Sequence, residues 1–307
     1  MKVENSLEYL EQVMEETQQY QDLGVMASYI PELLKADPKA FSLCYADVNG
    51  SIVSVGSTDQ TFTLQSVSKV ITFGMAIQTH GKEQVFKYVG TENGGMPFDD
   101  IRNISEKVVN PMVNAGAIAV AGLLHEHYGS RVSGLIAEEV KKLAGVDQVC
   151  HDMDVYYSEL ATATKNKAIA HYLYHMGLLP GQVEEVLETY ILQCALLGDT
   201  QLLAKIGATL ANGGVRADGV RVWSRDTVEV VVAVMANCGM YDHSGDYMAR
   251  VGIPSKSGVS GCLMGVAPGK GGVSSYAPNL NEFGNSLRGT LALESLSKKM
   301  GLNIFIP

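Results

Sequence analysis

Near the start of the chain, apolar side chains recur every three or four positions, so that Leu7, Leu10, Val13 and Met14 share one face of a helix spanning about 5–22. Asn5 stands where an N-cap belongs and Glu8 at the capping-box position three residues on. The pattern then turns to strands. Phe41–Val48 and Ser51–Val55 flank Asn49-Gly50, a strong hairpin signal, and Phe62–Leu64 is a short third strand. From Ser66 to Asn237 a helical period dominates, in segments near 67–80, 112–127, 131–144, 157–176, 183–196, 200–211 and 225–237. Strand texture returns at Gly258–Val266 and Gly272–Tyr276 around a turn at Pro268–Gly272, and a helix near 286–300 closes the chain.

Helix–strand–strand at one end mirrors strand–strand–helix at the other. The expected fold is α/β in the broad sense (α+β): an antiparallel sheet formed from both chain ends and flanked by the terminal helices, with a large helical subdomain inserted. It reads as a single domain over 1–307, with the sheet subdomain at about 1–65 and 250–307 and the helical subdomain at about 66–249. Ser66 lies where one texture hands over to the other, and a seam of that kind is where small-molecule clefts form.

Composition narrows the partners. A chain of 307 residues with 46% hydrophobic content can bury a large core. With 23 basic against 33 acidic residues the net charge is −10 and no basic stripe is present, so no nucleic acid and no anionic membrane is expected as a partner. The N-terminus turns polar and acidic at once, unlike a signal peptide, and the longest apolar run, Ala115–Leu124, is too short to span a bilayer. Five scattered cysteines form no Cys-x-x-Cys pair and fit a reducing, cytoplasmic setting.

Ser66-Val67-Ser68-Lys69 spells Ser-x-x-Lys, which sets a hydroxyl one helical turn from an amine. Ser295-Leu296-Ser297-Lys298 repeats the spacing. Context separates the copies: Ser66 follows a strand and opens a helix, where free N–H groups and the helix dipole suit an oxyanion and disfavour a charged Lys69. Ser295 lies deep in a helix whose amides are already bonded, and reads as solvated surface. Lys256-Ser257-Gly258, at the opening of a strand, fits the Lys-[Ser/Thr]-Gly element that accompanies Ser-x-x-Lys in penicillin-binding proteins and serine β-lactamases.

Seven runs, in order, carry a closer resemblance: Leu64–Lys69, Asn110–Ala117, Tyr157-Ser158-Glu159, Asn166–Ala170, Tyr190–Cys194, Cys238–Asp242 and Lys256–Val259. The sequence resembles the serine-dependent glutaminase family, with a β-lactamase/transpeptidase-like fold. The resemblance implies hydrolysis of L-glutamine to L-glutamate and ammonia, with no metal or organic cofactor, in a homo-oligomer (dimer or tetramer). It also implies roles: Ser66 as nucleophile, Lys69 as its base, Tyr241 as a proton-transfer partner, and the amides of Ser66 and Val259 as the oxyanion hole. Tyr29, Asn114, Glu159, Asn166 and Tyr190 would hold the amino-acid head, a carboxylate suiting an α-ammonium while amides and phenols suit an α-carboxylate. Glu159 and Asn166, seven apart, share a face if their helix is continuous.

The chain departs from the family pattern in a shorter segment between Phe98 and Asn110, in Ala195 after Gln-Cys, and in Lys165 before Asn166. Other constellations carry less. His125 and His127 point to different helix faces, His171 and His175 lack a third ligand, Gly265–Gly271 falls one residue short of a phosphate loop, and His243 reads as surface loop. Two alternatives to the glutaminase reading are another Ser-x-x-Lys hydrolase, acting on an ester or a β-lactam, and a silent sensor that binds glutamine or glutamate without turnover.

Overall fold

The computed structural model describes residues 3–306, as twelve α-helices and seven strands. The strands are β1 (Ser42–Asp47), β2 (Ile52–Gly56), β3 (Phe62–Thr63), β4 (Leu197–Gly198), β5 (Ser255–Ser257), β6 (Cys262–Ala267) and β7 (Gly271–Tyr276). The helices are α1 (Val3–Thr17), α2 (Ser68–His80), α3 (Lys82–Val85), α4 (Asn114–Tyr128), α5 (Val132–Ala144), α6 (Met153–Thr162), α7 (Thr164–His175), α8 (Val183–Cys194), α9 (Thr200–Ala211), α10 (Arg225–Cys238), α11 (Ser244–Arg250) and α12 (Leu287–Met300).

Five strands form one antiparallel sheet in the order β2-β1-β7-β6-β5, so strands from the two ends of the chain meet at the β1–β7 pair, with Cys44 opposite Ser274. This is the expected sheet, covered on one face by α1 and α12. The central strands are buried along nearly their whole length and do not alternate, because α9 covers the other face. Small residues let α9 come close: Ala204 and Ala208 pack on Cys44 and Ala46, and a Cβ on Gly272 would stand 2.1 Å from the Ala204 carbonyl oxygen. At the centre of the helical layer is α4, apolar all round and buried from Asn114 to Leu124.

Several elements differ from the sequence reading. The first helix already includes Asn5, so that residue caps nothing, and Glu8 accepts from Gln12 (3.1 Å) instead. Its buried face is Ser6, Leu10, Val13 and Thr17, while Leu7 is exposed, because the sheet is met by the stripe one position back. The strand at Phe62 joins a two-stranded ribbon with β4 and not the main sheet. The segment read as strand from Gly258 is a tight turn, Gly258–Gly261, between edge strand β5 and β6; its ends are tied by the Gly258 amide donating to the Cys262 carbonyl (2.9 Å). The helix expected over 157–176 breaks at Ala163 (ψ 24°) into α6 and α7. Ser295 is the surface residue expected, its hydroxyl donating to Glu16 on α1 (2.7 Å).

The contact between α9 and β7 yields the first prediction. Gly272→Ala drives a methyl group into the α9 backbone and should lower stability by about 1–3 kcal/mol or more. A denaturant midpoint unchanged from wild type would show that α9 is not seated on the sheet as described.

Candidate active site

The chain reaches Ser66 through strain. Leu64 is tied to the β4 side by its amide, which donates to the Leu196 carbonyl (2.7 Å). Gln65 then turns through φ 46°, and Ser66 follows in a 3-10 turn, Gln65–Val67, that runs into α2. The serine therefore precedes the α-helix proper by two residues. Tyr241, at φ 58°, is the other non-glycine residue with positive φ among the described residues. Each such conformation costs on the order of 1–3 kcal/mol and persists only where its surroundings enforce it. Gln65 is enforced: its carbonyl accepts from the Ser68 hydroxyl (2.7 Å), and its side-chain amide donates to Thr63 Oγ1 and Glu159 Oε2 (both 3.4 Å).

The Gly258–Gly261 turn lies against this segment. Ser260 donates to the Thr63 carbonyl (2.7 Å) and Cys262 to that of Leu64 (3.5 Å). Only glycine fits at 258, where a Cβ would stand 2.8 Å from the Leu64 oxygen. The stitching brings Val259 to the Ser66 turn, and neither the Ser66 nor the Val259 amide has a hydrogen-bond partner among the described residues. Two free N–H groups beside a hydroxyl can receive an oxyanion.

Lys69 is fully buried, and burial lowers its pKa from 10.5 to about 8. Its Nζ donates to Asn114 Oδ1 (2.7 Å) and to the Met112 carbonyl (3.3 Å). A neutral amine has two protons and one lone pair, so these bonds occupy both protons and leave the lone pair to accept another. Asn114 in turn donates through Nδ2 to Asn166 Oδ1 (2.9 Å). Asn114 thus accepts from Lys69 through its oxygen and donates to Asn166 through its nitrogen.

Glu159 is buried beside these groups, and burial lifts its pKa to about 7 despite the Gln65 amide and nearby Lys69, which pull it down. Tyr190 is buried, with Lys69 Nζ 5.9 Å from its ring centre. Tyr29 leaves 52% of its surface exposed, while its hydroxyl end turns inward: burial, then Tyr241 and Glu159, push its pKa well up. The Tyr241 phenol is buried, donates to the Ser257 carbonyl (3.2 Å) and packs on Phe98 (ring centres 4.6 Å apart). Burial raises its pKa, and Ser66 and Ser257 stand close enough to its oxygen to draw it partway down. A cavity of about 400 Å³ opens elsewhere, at the β1–β2 and β6–β7 turns, and its lining includes Tyr45, Asp47, Ser51 and Lys270.

A family model described as Glutaminase matches residues 24–305. Glutaminase 2 of Clostridium perfringens is 39% identical over 97% of this chain and 99% of its own length. The chain belongs to the glutaminase family. A glutaminase of Microcystis aeruginosa is 41% identical, over 93% of this chain and 86% of its own. The solved structure of the probable glutaminase ybaS superposes with a TM-score of 0.95 at 34% identity, covering 99% of both chains. That of a probable glutaminase from Bacillus subtilis complexed with 6-diazo-5-oxo-L-norleucine gives 0.90 at 33% identity, covering 97% of both.

Within this glutaminase fold, Lys69, Asn114, Asn166 and Tyr190 join through the contacts above, Gln65 ties Glu159 to the Ser66 turn, and the Tyr241 phenol stands close to Ser66, with Tyr29 and Val259 at their edge. Two points differ from the sequence reading. Glu159 and Asn166 belong to different helices, so the fold unites them through Asn114 and Gln65, not through a shared face. Lys256 was read only as part of a motif opening a strand; it lies inside β5, fully buried, its Nζ 4.3 Å from the Tyr241 ring centre. Gln65 stands in the sequence only as part of the Leu64–Lys69 run, since a backbone angle is not written in a residue type.

Proposed function

We propose that this chain hydrolyses L-glutamine to L-glutamate and ammonia through a Ser66 acyl-enzyme, with Lys69 as base. The observation that carries the reading is a buried, neutral-leaning lysine one turn from a serine beside two unbonded amides, in a chain of the glutaminase family. The Ser66 oxygen attacks the side-chain amide carbon as its proton passes to the Lys69 lone pair. The carbonyl oxygen takes the electron pair and is held by the Ser66 and Val259 amides. Collapse of this adduct breaks the carbon–nitrogen bond as the proton held by Lys69 passes through the Tyr241 hydroxyl to the nitrogen; ammonia departs, the lysine is neutral again, and a γ-glutamyl ester remains on Ser66. Water then attacks the ester carbon and gives a proton to the same lysine; the bond to Ser66 Oγ breaks, the lysine returns the proton to that oxygen, and glutamate is released.

Glu159 faces the α-ammonium of the substrate in this reading, while Tyr29, Asn114, Asn166 and Tyr190 supply donors and acceptors for the rest of the head group. Every step uses side chains and backbone amides alone. A homo-oligomer, dimer or tetramer, and a cytoplasmic location belong to the same proposal; among the described residues no helix is long and apolar enough to cross a membrane.

Replacing Ser66 by Ala should abolish ammonia release while leaving glutamine binding and folding intact, whereas Ser295→Ala should remain near wild type. An electrophilic glutamine analogue should add its mass to Ser66; label on a cysteine would show the mechanism wrong.

The pH profile follows from the two shifted groups. Lys69 must be neutral to accept a proton, so kcat/KM should rise with pH and level off above about 8. Glu159 must be ionised to hold an ammonium, so the acid limb should steepen below about 7. A profile flat from pH 6 to 9 would remove Lys69 as the base.

Glu159→Gln removes a charge-assisted bond worth on the order of 1.5–3 kcal/mol, which corresponds to a loss of about ten- to a hundredfold in kcat/KM for glutamine. Glutaramic acid, which lacks the α-amino group, should be a poor substrate for wild type, and the mutant should discriminate far less between the two. If Glu159 served structure only, stability would fall and the ratio of efficiencies would stay as it was.

A further inference from the structure

Asparagine is followed by glycine at Asn49, Asn93 and Asn212. Such a pair carries chemistry of its own, because glycine has no Cβ to shield its backbone nitrogen from the carboxamide carbon of the asparagine before it. The fold treats the three pairs differently. The Gly50 amide donates to the Asp47 carbonyl (3.2 Å) and the Gly213 amide to that of Leu210 (3.0 Å). The Gly94 amide has no acceptor among the described residues, and Asn93, Gly94 and Gly95 are all exposed. Asn93 Oδ1 accepts from the Gly95 amide (3.0 Å). That donor stands where negative charge gathers when a nucleophile adds to the Asn93 amide carbon.

The pair also supports a strained residue. Asn93 Nδ2 donates to the Tyr241 carbonyl (3.2 Å) and to that of Asn237 (3.3 Å). Tyr241 sits at φ 58°, a conformation that its surroundings must hold, and its carbonyl accepts otherwise from the Ser244 hydroxyl (2.7 Å). Further along the same segment, Phe98 packs on the Tyr241 ring. The segment is anchored on both sides of the pair. The Glu92 amide donates to the Val109 carbonyl (3.2 Å) and its own carbonyl accepts from Asn110 Nδ2 (2.7 Å), while the Pro97 carbonyl accepts from Asn103 Nδ2 (2.9 Å). A change of length or charge between these anchors is therefore delivered to Tyr241.

We propose that Asn93-Gly94 is a self-modification site whose conversion withdraws support from Tyr241. The Gly94 backbone nitrogen, its proton lost to solvent hydroxide, bonds to Asn93 Cγ. The bond from Cγ to Nδ2 breaks, and that nitrogen takes up a proton from water and leaves as ammonia. Water then opens the five-membered imide, its hydroxyl going to one of the two carbonyl carbons and its other proton to the ring nitrogen, which leaves aspartate or isoaspartate at position 93. In sum, one amide and one water become one carboxyl and one ammonia. A carboxylate has no proton to donate, so the Tyr241 carbonyl loses a donor and meets a negative charge. The isoaspartate form also inserts a carbon into the main chain between the anchors. The effect on turnover rests on the acyl-transfer reading above, in which Tyr241 carries a proton.

Peptide mapping by mass, on folded wild type held at mildly alkaline pH and sampled over time, tests the site without reference to activity. Asn93 should convert about fivefold or more faster than Asn49 and Asn212, whose glycine amides must first give up a hydrogen bond. In denaturing urea the three should convert at similar rates, since the fold that separates them is gone. Equal rates at the three sites in the folded protein would overturn the proposal. The aged enzyme should lose activity in step with the fraction modified at Asn93, and Asn93→Asp should lower kcat about three- to tenfold while KM moves by less than about twofold. Wild-type kcat in both would overturn the link to Tyr241. If Asn93→Asp does not yield folded protein, the aged wild type makes that comparison alone. Fresh wild type that releases no ammonia from glutamine sinks the functional reading, while the mass map still decides whether Asn93 modifies itself.

Discussion

Charge on a lysine is stabilised by bulk solvent, and the two lysines at this site are shut off from it. Lys69 and Lys256 are both fully buried, and neither is paired with a carboxylate at salt-bridge distance among the described residues. A fall in pKa from 10.5 to about 8 corresponds to roughly 3 kcal/mol against the charged form of Lys69. That penalty is what makes an amine a base near neutral pH, and the fold is arranged so as not to relieve it. Carbonyl and amide oxygens, from Met112, Asn114 and Ser257, receive the lysine protons in place of carboxylates. A carboxylate in those positions would return the charge and remove the base.

Dryness of this kind needs walls on every side, and the walls come from distant parts of the sequence. The 3-10 turn before α2 provides Ser66 and the first turn of α2 provides Lys69, the start of α4 provides Asn114, and α6 and α8 provide Glu159 and Tyr190. From the sheet edge come Lys256 and Val259. Each piece is pinned where it meets the next: Ser260 to Thr63, Gln65 to Glu159, Asn114 to Asn166. The two strained residues, Gln65 and Tyr241, lie at these junctions, where many contacts converge and a local cost of a few kcal/mol can be borne.

Much of this was legible in the sequence, and the reasons differ by level. Helices such as α4, α9 and α12 announce themselves by period and composition, and the Asn49-Gly50 hairpin by its turn. The Ser-x-x-Lys copy that matters is distinguished from the other because strand and helix meet at Ser66. What could not be read depends on backbone angles and on tertiary contact. The break at Ala163 follows no proline or glycine. The Gly258–Gly261 turn reads as strand because its apolar and small residues suit one, and only close approach to Leu64 shows why glycine is required. Lys256 looks like a surface lysine by type; its burial is set by what β5 packs against, which no local pattern records.

The carboxyl among these groups completes the electrostatic argument. With both lysines drawn toward neutrality, an ionised Glu159 would be an unmatched charge in the same dry space, which is why burial lifts it to about 7. The site therefore leaves its charges weakly supported: amines drawn down toward neutrality, a carboxyl drawn up toward its protonated form. In the proposed reading, an α-ammonium entering beside Glu159 supplies the missing countercharge and favours ionisation of the carboxyl. Recognition of the amino-acid head then rests on one buried carboxyl, and a substrate without the ammonium leaves that carboxyl with nothing to offset its burial.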